Sequence, residues 1–195
     1  LRIPQTLLAT GRQARVDVAE IPAASFAEAE DAASRSLFSD ERTHGLPGCF
    51  VCGPGRAPED GLRIFVGPLA ASPSRRIEAV AAAWVPSGDL AGSDGRVRGE
   101  FVWSVLDCPS GQAAMSARHL GLNGNEPVLL GRMAAQIHQC PKPGDRCIVV
   151  AWPTGRDGRK LFANSALLGP DGETLAVAQA TWLIVDRQVQ LGRAS

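Results

Sequence analysis

The sequence predicts an α+β domain: one apolar helix followed by a series of antiparallel strands. Three observations carry that expectation. The stretch Arg98-Gly-Glu-Phe-Val-Trp-Ser-Val-Leu-Asp107 spaces its apolar residues at a helical period. Downstream, strand-like segments at 128–138, 146–152, 160–168 and 174–186 alternate with Pro-Lys-Pro-Gly-Asp, Gly-Arg-Asp-Gly and Gly-Pro-Asp-Gly. Each separator holds the proline or glycine that a reversing chain needs. In the last segment Ala176, Ala178, Ala180 and Trp182 share one face, as suits a sheet on which a helix lies close.

The first half is punctuated more heavily. Residues 13–18 alternate weakly and read as a short strand. Residues 23–37 read as a surface helix with Pro22 in its first turn and Phe26 and Leu37 as anchors. Residues 39–60 are a Pro/Gly-rich connection. Residues 62–66 and 77–85 are strand candidates on either side of a Gly-Pro…Ser-Pro-Ser loop, and 87–97 is a polar loop entering the central helix. The expected organisation is an amino-terminal extension over 1–60 and one domain over 61–195.

A chain of 195 residues is long enough for one domain with a substantial core. Its 20 basic and 20 acidic residues balance, and the arginines are scattered, so neither nucleic acid nor a membrane surface is an expected partner. No run approaches the roughly 18 apolar residues of a membrane span. Residues 1–10 are too short and too punctuated for the apolar region of a signal peptide. Five cysteines, an odd number in a chain of this length, do not form a disulfide framework, and the expected location is the cytoplasm.

On a helical wheel Glu100, Ser104, Asp107 and Gly111 share a narrow polar stripe opposite Phe101, Val102, Val105, Leu106 and Ala113. Pro109 removes one backbone donor, so the helix is expected to kink just after Asp107 or to restart at Cys108. Either way Asp107 lies beside irregular backbone. It then serves as a functional carboxylate or as the N-cap of a helix beginning at Pro109.

Residues 98–107 resemble the His-Gly-Gly-x-x-x-x-x-x-Asp segment of phenylacetate-type hotdog acyl-CoA thioesterases, with Gly99 at the first glycine and Asp107 at the acid. Arg98 stands where that family usually has His, and Glu100 replaces the second glycine. Cys49-Phe-Val-Cys-Gly…Gly61-Leu-Arg-Ile is similar to the opening of many hotdog proteins, and 164–178 to their penultimate hairpin, so the likeness spans roughly residues 46–186. The resemblance implies a hotdog fold, a curved antiparallel sheet wrapped around the helix. It also implies acyl-CoA hydrolysis, with the Gly99 amide polarising the thioester carbonyl and Asp107 as nucleophile or general base.

Ser104, one turn earlier, is a candidate to hold the carboxylate or a water. Arg98, Glu100, Trp103, Arg132 and Asn164 are candidate substrate contacts, with Arg156 and Arg159 as further phosphate partners. No cofactor and no metal ligand is expected. Eight helical residues span about 12 Å, whereas a reacting carbonyl needs donor and carboxylate within roughly 3–4 Å. Gly99 and Asp107 are therefore expected to act from two chains, in a homodimer or a dimer of dimers. The rival reading is a non-catalytic protein binding acyl-CoA or another small ligand.

Cys49-x-x-Cys52, with His44 nearby, raises zinc and a zinc-stapled interaction domain. No second Cys-x-x-Cys follows, although Cys140 and Cys147 are placed to face each other across a hairpin. The preferred reading is a tight Cys-Gly-Pro-Gly turn with buried thiols. His119, near the helix end, and His138, at a strand end, are read as structural.

Overall fold

A computed structural model describes residues 10–72, 75–122 and 126–190. The amino-terminal stretch weighed above as a leader lies largely outside them, as do Pro73 and Ser74 of the expected loop. Six strands form one antiparallel sheet: β1 (Gly67–Pro68), β2 (Val80–Trp84), β3 (Val128–Ile137), β4 (Cys147–Asp157), β5 (Lys160–Leu168) and β6 (Thr174–Ile184), in the order β1-β2-β4-β5-β6-β3. Three helices accompany them, α1 (Phe26–Ser34), α2 (Gly99–Ser116) and the short α3 (Arg187–Gln190). The sheet curves around α2. Register shifts at Leu130/Arg132, Pro153/Gly155 and Leu167/Leu168 mark its irregular points.

The four downstream strands are present, with β5 on its expected bounds and β4 extended to Asp157. Their pairing corrects one expectation. β3 pairs with β6 and not with β4, so Cys140 and Cys147 do not face each other across a hairpin. The chain after β3 crosses over the sheet end instead. Pro141 accepts from the Val97 amide at 2.8 Å, and the Gly144 amide donates to Pro86 at 2.8 Å.

Residues 13–18 are not a strand. They run over the sheet face away from α2, where Val16 and Val18 pack beside Ile148, Val150, Trp152 and Val177. Gln179 Nε2 donates to the Asp17 carbonyl at 2.8 Å. Residues 62–66 do bury alternate side chains, Leu62, Ile64 and Val66. The Leu62 and Ile64 amides, however, bond to Phe50 and Val51 rather than to a neighbouring strand, and Arg63 at φ 51° breaks the extended run.

α1 starts later than expected because Ser25 caps it. Its hydroxyl accepts from the Glu28 amide while Glu28 accepts from the Ser25 amide, a reciprocal capping box. Ala29 and Ala32 are fully buried on this face of the sheet, whereas the expected anchor Leu37 is exposed.

α2 fills the concave face. It is one continuous helix through Pro109, so it does not end at Asp107 and restart at Cys108. Val102, Val105 and Leu106 are fully buried against Val149, Ala151 and Leu167. Ser165 of β5, itself fully buried, donates to the Leu106 carbonyl at 2.7 Å. The alanine face of β6 does lie beneath the helix. A Cβ on Gly111 would stand only 2.8 Å from the Trp182 ring, so glycine is what permits this approach. Trp182 Nε1 donates to Ser110 Oγ at 2.9 Å, and that hydroxyl donates to the Asp107 carbonyl at 2.7 Å.

Gly111→Val is expected to lower unfolding free energy by about 1–3 kcal/mol, read as a shifted urea midpoint. An unchanged midpoint would contradict the close helix–sheet contact. Glu28 has its carboxyl held near pH 2 by the Ser25 amide first and by Arg75 next. A depressed folded value stabilises the protein above the unfolded value near 4.5, and that contribution is lost as pH falls toward 2. Glu28→Gln should therefore cost about 1 kcal/mol at pH 7. The gap to the parent should close through that acid range, and a pH-independent gap would refute the capping account.

Candidate active site

The site is built where three pieces of chain meet along α2. The first is the start of the helix. Arg98 is its N-cap but supplies no side-chain cap, so the first-turn amides at Gly99 and Glu100 are left to point outward. Around Gly99 the space is open, with Ile137 Cδ1 at 3.8 Å from a virtual Cβ as its one close neighbour. The Arg98 guanidinium lies 4.5 Å from the Phe101 ring centroid, and its Nε is 3.4 Å from Glu100 Oε1. Glu100 is thus turned to solvent, and Trp103, one turn further on, is 41% exposed. Ser104 donates its hydroxyl to the Glu100 carbonyl at 2.8 Å, a bond within its own helix and not one to Asp107.

Asp107 is the second piece. It is half-buried, and its Oδ1 is sealed from solvent without a hydrogen-bond partner among the described residues. Burial first, and the neighbouring Cys49 sulfur second, push its carboxyl up to about 6. An unsatisfied carboxylate oxygen in a mid-helix position costs stability and stores acid–base capacity.

The third piece is a knuckle formed by 46–53. Cys49 donates its amide to Leu46 at 2.9 Å, and the Gly53 amide returns to the Cys49 carbonyl at 2.9 Å. The turn is so tight that a Cβ on Gly53 would meet two carbonyl oxygens at 2.4 Å, which explains the glycine after the second cysteine. Val51 and Leu62 seat the knuckle in the core, and Phe50 lies 5.9 Å from Phe101 between ring centroids.

Of the thiols expected to be buried, Cys52 is and Cys49 is half-buried, and they have a companion that spacing did not reveal. Cys108 brings its Sγ to 3.5 Å from that of Cys49, and with Cys52 the three sulfurs lie within 4.8 Å of one another. All five cysteines are free. Thiols of Cys108 and Cys52 donate toward Cys49, and the amides of Cys52 and Val51 add to them, holding Cys49 far below the ordinary thiol range. Cys108 is pushed well up by its bonds to Cys49 and Cys52 and by burial. The only hint in the sequence was a cysteine directly after the acid, on the buried side of the helix.

Other expected contacts are dispersed. Ser165 faces α2, so its neighbour Asn164 faces away, and Arg132 pairs with Thr181 on that same far side. Arg132 and Asn164 line a cavity of about 340 Å³ with Arg15, Thr154 and Gln179. The sheet separates it from Asp107. Arg98 instead lines a cavity of about 350 Å³ with Phe50, Leu62, Trp84 and Phe101, beside the helix start. Arg156 is used structurally, donating to the Leu120 and Gly158 carbonyls. His119 Nδ1 sits 2.9 Å from Glu78, and His138 is exposed after β3.

Neither a protein-family model nor a curated protein matches the chain. Solved structures do. Zebra fish thioesterase superfamily member 2 superposes with a TM-score of 0.51 at 18% identity, over 62% of this chain and 81% of that one. A Streptococcus mutans protein bound to acetyl CoA gives 0.51 at 11% identity, over 62% and 88%. Another thioesterase superfamily protein gives 0.55 at 16% identity, over 76% and 66%. The curved six-stranded sheet, the helix it wraps and these superpositions together establish that the chain has the hotdog fold of thioesterase superfamily structures.

Proposed function

We propose that this protein hydrolyses an acyl-CoA or a related acyl thioester, with Asp107 as the catalytic carboxylate and the Gly99 amide as oxyanion donor. The observation that carries this reading is the buried, unpartnered Oδ1 of Asp107 on the same helix whose first amides lack a side-chain cap. A carboxylate so placed can attack a thioester carbonyl directly, expelling the CoA thiolate and leaving an anhydride that water then opens, or it can take a proton from an attacking water that displaces the thiolate. In either route the carbonyl oxygen gains charge, and an amide at a helix amino-terminus is suited to receive it.

Gly99 and Asp107 lie about 12 Å apart along one helix, so the reading requires two chains. Strand β3 is one of the two edge strands, with no further strand beside it among the described residues, and Leu130 on it is 41% exposed. Gly99 borders that edge at Ile137, whose Cδ1 lies 3.8 Å from a Cβ built on it. A second copy docked there would cover apolar surface and an open strand edge together. Binding of acetyl CoA by a hotdog protein of similar fold supports the substrate class. Arg98, Phe101 and Trp103 are the contacts this reading assigns to substrate, whereas Arg132 and Asn164 lie across the sheet and are left out. No helix among the described residues is long and apolar enough to cross a membrane, and the cytoplasm is the location an acyl-CoA substrate implies.

Thiol release from a panel of acyl-CoAs tests the proposal. Asp107→Asn should slow turnover by about 10²–10⁴-fold. Gly99→Pro should slow it by about 10²–10³-fold; proline is well tolerated at a first helical position, and Arg98 before it is already extended at ψ 144°, so the fold should persist. Full activity in Asp107→Asn, with the same melting temperature as the parent, would remove the carboxylate from the mechanism.

A further inference from the structure

Three sulfurs in mutual contact, drawn from two distant parts of the chain and not joined as a disulfide, are more than packing needs. We propose that Cys49, Cys52 and Cys108 form a thiolate site for one thiophilic divalent cation, with Zn²⁺ the ion whose chemistry fits. At a metal–sulfur distance of about 2.3 Å, tetrahedral geometry puts sulfurs about 3.8 Å apart. The Cys49–Cys108 separation of 3.5 Å and the 4.8 Å limit on the set bracket that value, so small rotamer changes suffice.

The local backbone supports the same conclusion. In the 46–53 knuckle the Cys49 amide donates to the Leu46 carbonyl and the Gly53 amide to the Cys49 carbonyl, both at 2.9 Å, which holds Cys49 and Cys52 on one tight turn. Gly53 closes the turn where no side chain fits. Soft thiolates select zinc-type ions over magnesium or calcium.

Three thiolates leave one tetrahedral position. His44 stands near Cys49, and its Nε2 is buried without a partner. Its Nδ1 accepts the Leu46 amide at 3.0 Å, so in the neutral ring Nε2 carries the proton and is not a ligand. No fourth His, Asp, Glu or Cys ligand atom joins the three sulfurs within 4.8 Å among the described residues, so the fourth position falls to solvent. A cation here would tie the knuckle to α2 at the turn that carries the acid. Binding displaces the thiol protons to solvent and involves no change of oxidation state.

The test uses the full chain, reduced, stripped with a chelator, and titrated with Zn²⁺ and separately with Co²⁺. One zinc per chain is expected by elemental analysis. Cobalt should give an intense thiolate-to-metal charge-transfer band that saturates at one equivalent and is bleached by zinc. Cys49→Ser and Cys108→Ser should lose that band or weaken it several-fold, and Cys140→Ser, outside the cluster, should keep it. If a variant fails to fold, the parent's band intensity, which scales with the number of thiolates, still decides. A folded parent with no charge-transfer band and substoichiometric zinc overturns the proposal. So does a band unchanged in all three cluster variants. None of these readouts requires turnover, so they stand apart from the fate of the thioesterase reading.

Discussion

The contact on which the rest depends is that of α2 with the alanine face of β6. Gly111 lets the helix reach the Trp182 ring, and the Ser110 hydroxyl, held by Trp182 Nε1, grips the Asp107 carbonyl. Ser165 adds a second grip one residue earlier, at Leu106. These bonds fix both the depth and the rotation of the helix. Because helix side chains project at fixed angles, setting that rotation aims Asp107 and Cys108 at the knuckle and leaves Trp103 at the surface. Proline at 109 is tolerated within this frame because one missing backbone bond is small beside the burial of Val102, Val105 and Leu106.

The same frame concentrates negative charge. For Cys52 a bond from Cys108 is outweighed by the bond to Cys49 and by burial. Cys108 is raised by its bonds to Cys49 and Cys52 and by burial, and Asp107 adds a smaller push to each. Burial first and the Cys49 sulfur second raise Asp107. Like charges held this close in a half-buried place are unfavourable unless something relieves them. A cation among the sulfurs would relieve that repulsion, and it would do so on the residue next to Asp107. The proposed catalytic and metal sites are therefore not independent features. One would tune the other.

Much of the fold was legible. The Pro/Gly/Asp turns delimited β5 to the residue and located three further strands, because turn chemistry is local. The alanine face of β6 announced a closely packed helix. Strand order was not legible, since β3 beside β6 is a long-range choice that adjacency in sequence misreports. The extended residues 13–18 failed as a strand because they meet a sheet face, not an edge. Of the proposed site, Gly99 and Asp107 were singled out by the resemblance of residues 98–107 to a thioesterase segment, whereas Cys108 joined Cys49 and Cys52 only through tertiary packing. Arg132 and Asn164 were grouped with Asp107 by residue type, and the alternation of a strand puts them on the opposite face.

The central claim is that one chain's Asp107 works with another chain's Gly99, and a mixed dimer tests it most directly. Asp107→Asn and Gly99→Pro chains carrying different tags are co-expressed, and the heterodimer is isolated by sequential affinity steps. Each variant alone should be nearly inactive. The mixed dimer holds one intact pairing of acid and amide out of two, so about half of the parent's thioester hydrolysis should return. A mixed dimer as inactive as its parents would mean that both groups serve the same chain, and the two-chain site would be wrong.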